Sequence, residues 1–458
     1  MKPGTYLALA LLFCWSPALC AGPQTSGDLF RDKVTLKDGK QIEGRLLERY
    51  HPEHVVLYRK TNQEEIPHAD IESIRTLRDD LQSFMGGHRE GLTIEEEWRR
   101  VQEAVGLNLN NMARVQAWKV LTLDPQHGPA NEFLGHSPIR GKYNWLLGKK
   151  KYSPEDFAER IGDWRDRFVL DSEHYTLETD TSVLKAVQVL YDLEAVYLHW
   201  MQEFGKELQA GEDVYLANHR MTMHVFENRD DRGFTFALNS RREPFYDPSS
   251  TTTTARTSNP NLAFTYYQGG TNDRPVDFFN VAIQQLLYST LVLPRRNSFV
   301  PANEYSTPAH WLDIGMGYWL GRQFGGPAGY ARPQRFVSDS RNRELASRRL
   351  RSGPLSGGSA ARELTNLVSL GRRYYYNVSK DNTNELYRAK ARSFFRYLME
   401  EDPPLVLNNK VVGRGREGLL RYLREVYIHP TNYSSKSFDN ALGGKVELLF
   451  EGWLDWRK

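Results

Sequence analysis

The apolar positions change period several times along this chain. Between Lys33 and Ile74 they alternate with polar ones, as in Val34 and Leu36, then Ile42, Gly44 and Leu46. Alternation of period two predicts half-buried strands. Lys37-Asp38-Gly39-Lys40 is a hairpin turn, followed by strands over Gln41 to Glu48, His54 to Lys60 and Gln63 to Pro67. Residues 32–76 are thus expected to form a small β-barrel. From Leu92 to Gly135 the period becomes helical. Thr93-Ile94-Glu95-Glu96 is a capping box, in which the hydroxyl and the carboxylate each take a free N–H at the helix start. Val101, Ala104 and Val105 follow, then Ala113 to Leu121, and Asp124-Pro125 stops the second helix. Ser153-Pro154-Glu155-Asp156 opens another, with Pro at its tolerated first position. Residues 90–165 are expected to be a helical connector.

The third region, 170–458, begins with a strand at His174 to Thr179. A long amphipathic helix follows, with Val183, Val187, Leu190, Leu193, Val196, Tyr197, Trp200 and Phe204 as a core-facing stripe. Met221 to Glu227 and Asn261 to Tyr267 are further strands, separated by a Thr-rich loop at Thr251 to Thr254. Helices are predicted over Val276 to Leu291, Ala309 to Gln323, Glu363 to Arg373, Asn384 to Glu400 and Gly415 to Val426. The fold class expected is α+β multidomain: a small barrel, a helical connector, and a mixed sheet with helices.

The first residues change the setting. Met1-Lys2-Pro3, an apolar run from Tyr6 to Trp15 and small residues near Ala18 and Ala21 make a secretory signal peptide over 1–21, with 22–31 a polar linker. Leu19 stands where a lipoprotein signal has Gly or Ala. The mature protein is therefore expected to be exported, periplasmic or extracellular, without a transmembrane segment. Both cysteines, Cys14 and Cys20, lie in the leader, so no disulfide or cysteine metal site is expected beyond it. A formal charge of +3 is too near balance to imply a nucleic-acid partner.

Two helices carry the chemistry. The first reads Phe279-Asn280-Val281-Ala282-Ile283-Gln284-Gln285-Leu286-Leu287, the second Pro308-Ala309-His310-Trp311-Leu312-Asp313-Ile314-Gly315-Met316-Gly317-Tyr318. This pair resembles the active-site helices of gluzincin-type (peptidase MA-like) metallopeptidases, which carry His-Glu-x-x-His and Trp-Leu-x-Glu-Gly-x-Ala-x-Tyr. The order strand, helix, strand, strand, helix, helix is that of their catalytic domain. The stretch from Phe438 to Trp453 resembles their terminal helix. Residues 33–74 look like the SH3-like barrels that precede larger domains in exported bacterial proteins. Leu123 to Gly135 is similar to one tetratricopeptide-like unit, too few for a solenoid.

In that resemblance the apolar frame survives and the ligands do not. Asn280 and Gln284 take the two His positions, Val281 the Glu between them, and Ile314 the third-ligand Glu. Two imidazoles at i and i+4 share a helix face and reach one Zn²⁺, and a Glu takes the proton of the bound water. Neutral amides are poor partners for Zn²⁺, and Val281 accepts no proton. Asp313 lies about 100° around the helix from Ile314 and is not expected to substitute. The resemblance implies an exported pseudopeptidase with no catalytic residue, metal or cofactor. It would bind a peptide or protein in the former substrate cleft. The edge strand would be Asn261 to Tyr267, with Asn261, Phe264 and Tyr266 in contact, and the floor Asn280, Gln284, Ile314 and Tyr318, with His310 beside it. Two alternatives stay open. One is an active hydrolase or a metallopeptidase with non-standard ligands. The other is an envelope scaffold that binds anionic polymers through the arginine-rich stretch 322–351. His51 and His54 offer only two ligands in a barrel loop, a weak metal signal, and His219 and His224, five residues apart along a strand, fall on opposite faces, so a shared metal is not expected.

Overall fold

The computed structural model describes residues 32–59, 62–89, 91–208, 220–228, 245–247, 262–267, 275, 278–287, 289–290, 310–323, 367–368, 383–407, 410–428, 435–442 and 446–456. The leader, the linker, the Thr-rich loop, His219, Asn261, the arginines from Arg332 to Arg351 and most of the helix expected at Glu363 to Arg373 lie outside them.

The chain is an α+β protein with several separate sheets. Strands β1 (Asp32–Leu36), β2 (Gln41–Glu48), β3 (His54–Arg59), β4 (Asn62–Pro67) and β5 (Ile71–Arg75) form an antiparallel sheet in the order β4-β3-β2-β1-β5. Their inward positions, among them Val34, Ile42, Leu46, Val55, Leu57 and Ile66, make a core of their own. The buried Asp32 carboxylate accepts from the N–H groups of Leu46 (2.8 Å) and Leu77 (2.9 Å). It thereby joins this sheet to helix α1 (Leu77–Gly86), which the apolar pattern did not reveal.

Helices α2 (Ile94–Gly106), α3 (Asn110–Leu123) and α4 (Gly128–Phe133) follow, and the capping box at Thr93 and Glu96 is formed as expected. The connector is not purely helical, however. β6 (Ser137–Ile139), β7 (Lys142–Leu147) and β8 (Lys150–Tyr152) make a small antiparallel sheet before α5 (Pro154–Ile161), which Ser153 caps. These strands are short and half-exposed, so their alternation is too brief to register as a period. Trp118, Trp145, Phe157 and Phe168 meet edge to face or stacked, with ring centroids 5.1–5.8 Å apart, and bind α3, β7 and α5 to the next sheet.

That sheet holds β9 (Phe168–Asp171), β10 (Tyr175–Thr179), β11 (Met221–Phe226), β12 (Phe245–Asp247) and β13 (Leu262–Tyr266), in the order β12-β13-β11-β10-β9. The inner pairs β10–β11 and β11–β13 are parallel, and both outer strands run antiparallel to their neighbours. Helix α6 (Val183–Trp200) crosses from β10 to β11, as a parallel pair requires. It was expected to bury one stripe. Instead 14 of its 18 residues are buried, because α3, α7 (Phe278–Leu287) and the sheet pack around it. A π-helical turn, Met201–Gly205, extends it.

The strand at Asn261 to Tyr267 was expected to be an edge. β13 has a neighbour on each side, since Phe245 pairs with Phe264 and Asp247 with Leu262. Among the described residues the edge on this side is β12, three residues long and therefore below the reach of any periodic signal. After α7 come α8 (His310–Gln323), α9 (Thr383–Glu400), the hairpin β14 (Pro404–Leu407) and β15 (Lys410–Arg414), then α10 (Gly415–Ile428), α11 (Ser435–Leu442) and α12 (Val446–Trp456). One contiguous apolar core runs from Leu81 in α1 to Trp453 in α12. Among the described residues no helix is long and apolar enough to cross a membrane.

Candidate functional site

Helix α7 is apolar almost throughout. Phe278, Phe279, Val281, Ala282, Ile283, Leu286 and Leu287 are buried, so its few polar groups must find partners inside the protein. Gln285 donates its amide to the Thr222 carbonyl at 2.8 Å and fixes the helix to β11. Asn280 and Gln284, four residues apart, share another face.

Helix α8 meets that face. Trp311 anchors α8, with its ring 5.5 Å from Phe394, 6.4 Å from Tyr422 and 6.1 Å from Phe438. Two glycines allow close approach on opposite flanks. A Cβ at Gly315 would stand 2.4 Å from Phe395 Cβ in α9. One at Gly317 would stand 2.3 Å from Asn280 Oδ1 and 3.1 Å from the Asn280 backbone. Gly317 therefore faces Asn280, and the residue one turn earlier, Asp313, faces Gln284. Gln284 donates its amide N–H to Asp313 Oδ2 at 3.2 Å, and His310 Nδ1 lies 3.4 Å from the same oxygen. All three side chains are buried.

This corrects the sequence register. Ile314 was placed in the ligand position and Asp313 was expected to turn away. The missing side chain at Gly317 rotates the contact face by one residue, so Asp313 meets α7 while Ile314 is buried in the apolar core. The signal that could have shown this is the i, i+4 pair Asp313 and Gly317, set against Gln284 and Asn280.

The predicted binding set is only partly brought together. Asn280, Gln284 and His310 lie at the α7–α8 contact. Tyr318 is buried, with the Arg392 guanidinium 5.4 Å and the Arg322 guanidinium 5.9 Å from its ring centre. Phe264 and Tyr266 are not at this contact. They pack with Phe226, Leu262 and Trp164 in a separate cluster, whereas the alternate residue Ala263 joins the core that contains the helices. Period-two alternation puts Phe264 and Tyr266 on the sheet face away from α7. On that face His224 Nε2 lies 3.3 Å from Glu178 Oε2, which also accepts from Arg167 at 2.5 Å. Burial alone would raise the Glu178 pKa, but its contacts with His224 and Arg167 outweigh it and hold the carboxyl at about 2.

Gln284 has one further property. Its Nε2 is committed to Asp313, which fixes the amide orientation, since a flip would set two oxygens against each other. Its Oε1 is then buried with no hydrogen-bond partner in the chain. Asp313 also raises the pKa of the Tyr387 hydroxyl, an effect second to the burial of that phenol.

The donors do not fit the zinc that the family resemblance implies. Two amides replace imidazoles, Ile314 offers no oxygen, and the nearest carboxylate, Asp313, already accepts from Gln284. Among the described residues no group of three or more His, Cys, Asp or Glu side chains is placed to hold a metal ion. No protein-family model matches the chain, and no curated protein proved similar to it.

Proposed function

We propose that this chain is an exported, non-catalytic binding protein built on a gluzincin-like frame, with an SH3-like barrel at its N-terminal end. It holds a peptide or protein segment in extended form at the contact of α7, α8 and the sheet edge. The observation that carries this reading is Gln284 Oε1, a buried acceptor aligned by Asp313 and left without an internal donor. Leaving such an atom unmade costs about 1–3 kcal/mol, which a ligand N–H would recover. The edge strand β12 lies against α7 and offers main-chain groups for strand addition. Pairing of this kind needs no metal, so it is compatible with the donor set.

The test measures metal content, peptide cleavage and peptide binding on the same purified protein. The expected result is substoichiometric zinc, no cleavage, and saturable binding of extended peptides that weakens about tenfold in Gln284→Leu, the loss of one hydrogen bond to a desolvated group. Stoichiometric metal together with chelator-sensitive cleavage would overturn it. The second reading, a metallopeptidase with non-standard ligands, is favoured only by the approach of His310 and Asp313 to one point beside Gln284.

A further inference from the structure

The hairpin β14–β15, helix α10 and the turn after α6 line a pocket of about 500 Å3, in which Arg414, Arg416, Arg421 and Arg424 stand among Glu207, Asp402 and Glu417. This is within the size range of small-molecule sites. Arg414, Arg416 and Arg421 are held by carboxylates. Arg416 donates to Glu203 Oε1 (2.9 Å) and Glu207 Oε2 (3.1 Å) on the turn after α6, and so is fixed as a wall of the pocket. Arg414 gives only its Nε to Asp402 (2.9 Å), and Arg421 only one terminal nitrogen to Glu417 (2.7 Å). A guanidinium carries five N–H donors, so both keep most of theirs for another acceptor. Their side chains are 58% and 48% exposed, and ion pairs this exposed contribute little and exchange readily.

We propose that this pocket binds the phosphate group of an organic phosphate ester, with Arg414 and Arg421 as its two forks. A tetrahedral dianion offers three strong acceptor oxygens, enough for both guanidiniums at once, whereas one carboxylate serves one fork. The three lining carboxylates hold the guanidiniums from the flanks, and a dianion is needed to compete with them. Beside the pocket, β15 carries Val411 and Val412, 67% and 46% exposed, so the same phosphate chemistry has two sources. A soluble ester enters the pocket alone. The phosphomonoester headgroup of phosphatidic acid enters while the two valines meet the lipid interface. The inference is independent of the peptide-binding reading, because it uses none of α7, α8 or the large sheet.

The experiment uses the full chain. Calorimetric titration with glycerol phosphate and with inorganic phosphate is run against sodium chloride at matched ionic strength. Co-sedimentation is run with phosphatidic acid and with phosphatidylcholine vesicles. The expected result is saturable phosphate-specific binding that weakens about tenfold or more in the Arg414→Gln/Arg421→Gln double variant. Both arginine side chains are about half exposed and each is held by a single surface carboxylate, so the variant retains the wild-type melting temperature. Sedimentation with phosphatidic acid and not with phosphatidylcholine, released by Val411→Ser/Val412→Ser, identifies the lipid source. Binding of glycerol phosphate without sedimentation identifies the soluble one. Equal response to chloride, unchanged binding in the double arginine variant, or no saturable binding in either arm overturns the proposal.

Discussion

At the scale of single residues, buried polar groups decide more than the apolar ones around them. His174 and Glu194 are both enclosed, with Nδ1 2.7 Å from Oε2 and the backbone N–H of His174 on the other carboxylate oxygen at 2.8 Å. Burial would push the Glu194 carboxyl up, but the His174 ring and the hydrogen bonds from His174 and Ser172 outweigh this and leave it below the usual range. Removing one partner leaves a charge without compensation. His174→Ala is therefore expected to destabilise by about 3–5 kcal/mol in chemical denaturation, and Glu194→Gln by less, since an amide still bonds the imidazole. The same principle separates Gln284 from Gln285. The spacing of α7 marked Gln284 and Asn280 as positions of interest, but nothing local marks Asp313 as the partner. That contact spans two helices and is not written in either.

At the scale of elements, the approach of α7 to α8 depends on one absent side chain. Ala at Gly317 would gain about 1 kcal/mol of helix propensity, yet its Cβ would enter the space of Asn280. Overpacking costs about 1–3 kcal/mol, so Gly317→Ala is expected to lower the melting temperature rather than raise it. Gly317→Ala combined with Asn280→Ala should recover part of the loss, because the Oδ1 contact goes while the backbone contact stays. Equal melting temperatures for the single variant and the wild type would show that the helices sit further apart. The capping boxes at Thr93 and Thr76 illustrate uneven legibility. The first precedes a long apolar period and was readable, while the second opens an equally real helix among charged residues and was not. β12 was missed for a different reason. Three residues hold no period, and its place is decided by pairing with β13.

At the scale of the whole molecule, the connector and the large sheet share one core, so stability should respond to titration at their junctions. His88 stacks 4.7 Å from Tyr191 of α6, and His136 packs against Trp118 and Trp145. Burial lowers both imidazoles to about 4, helped by Lys119 and Arg100 for His88 and by Arg114 for His136. Each is thus neutral in the fold and takes up a proton more easily when unfolded. Their contribution is complete above pH 6.5 and is lost as pH falls from 6.5 toward 4. Denaturation at pH 7, 5.5 and 4 should show a loss of roughly 2–5 kcal/mol, which shrinks in His88→Gln/His136→Gln. An unchanged pH profile in that double variant would assign the loss to other groups. Glu178 acts in a separate, more acidic window, because its stabilisation is present above 4.5 and disappears toward 2.

The amino-acid sequence by itself determined the α+β fold class and most of the described elements. Alternation marked the first sheet, helical periods marked α2, α3, α6, α7 and α8, and capping residues placed several of their starts. These are local matters, set by side-chain direction along a regular backbone. Tertiary structure decided what faces what. Among the described residues it packed neighbours around most of α6, moved the sheet edge from β13 to β12, sent Phe264 and Tyr266 to the far face, and set Asp313 rather than Ile314 against Gln284. The physical reason is that packing is settled between elements, where one glycine or one three-residue strand can turn a face, and no period along the chain records it.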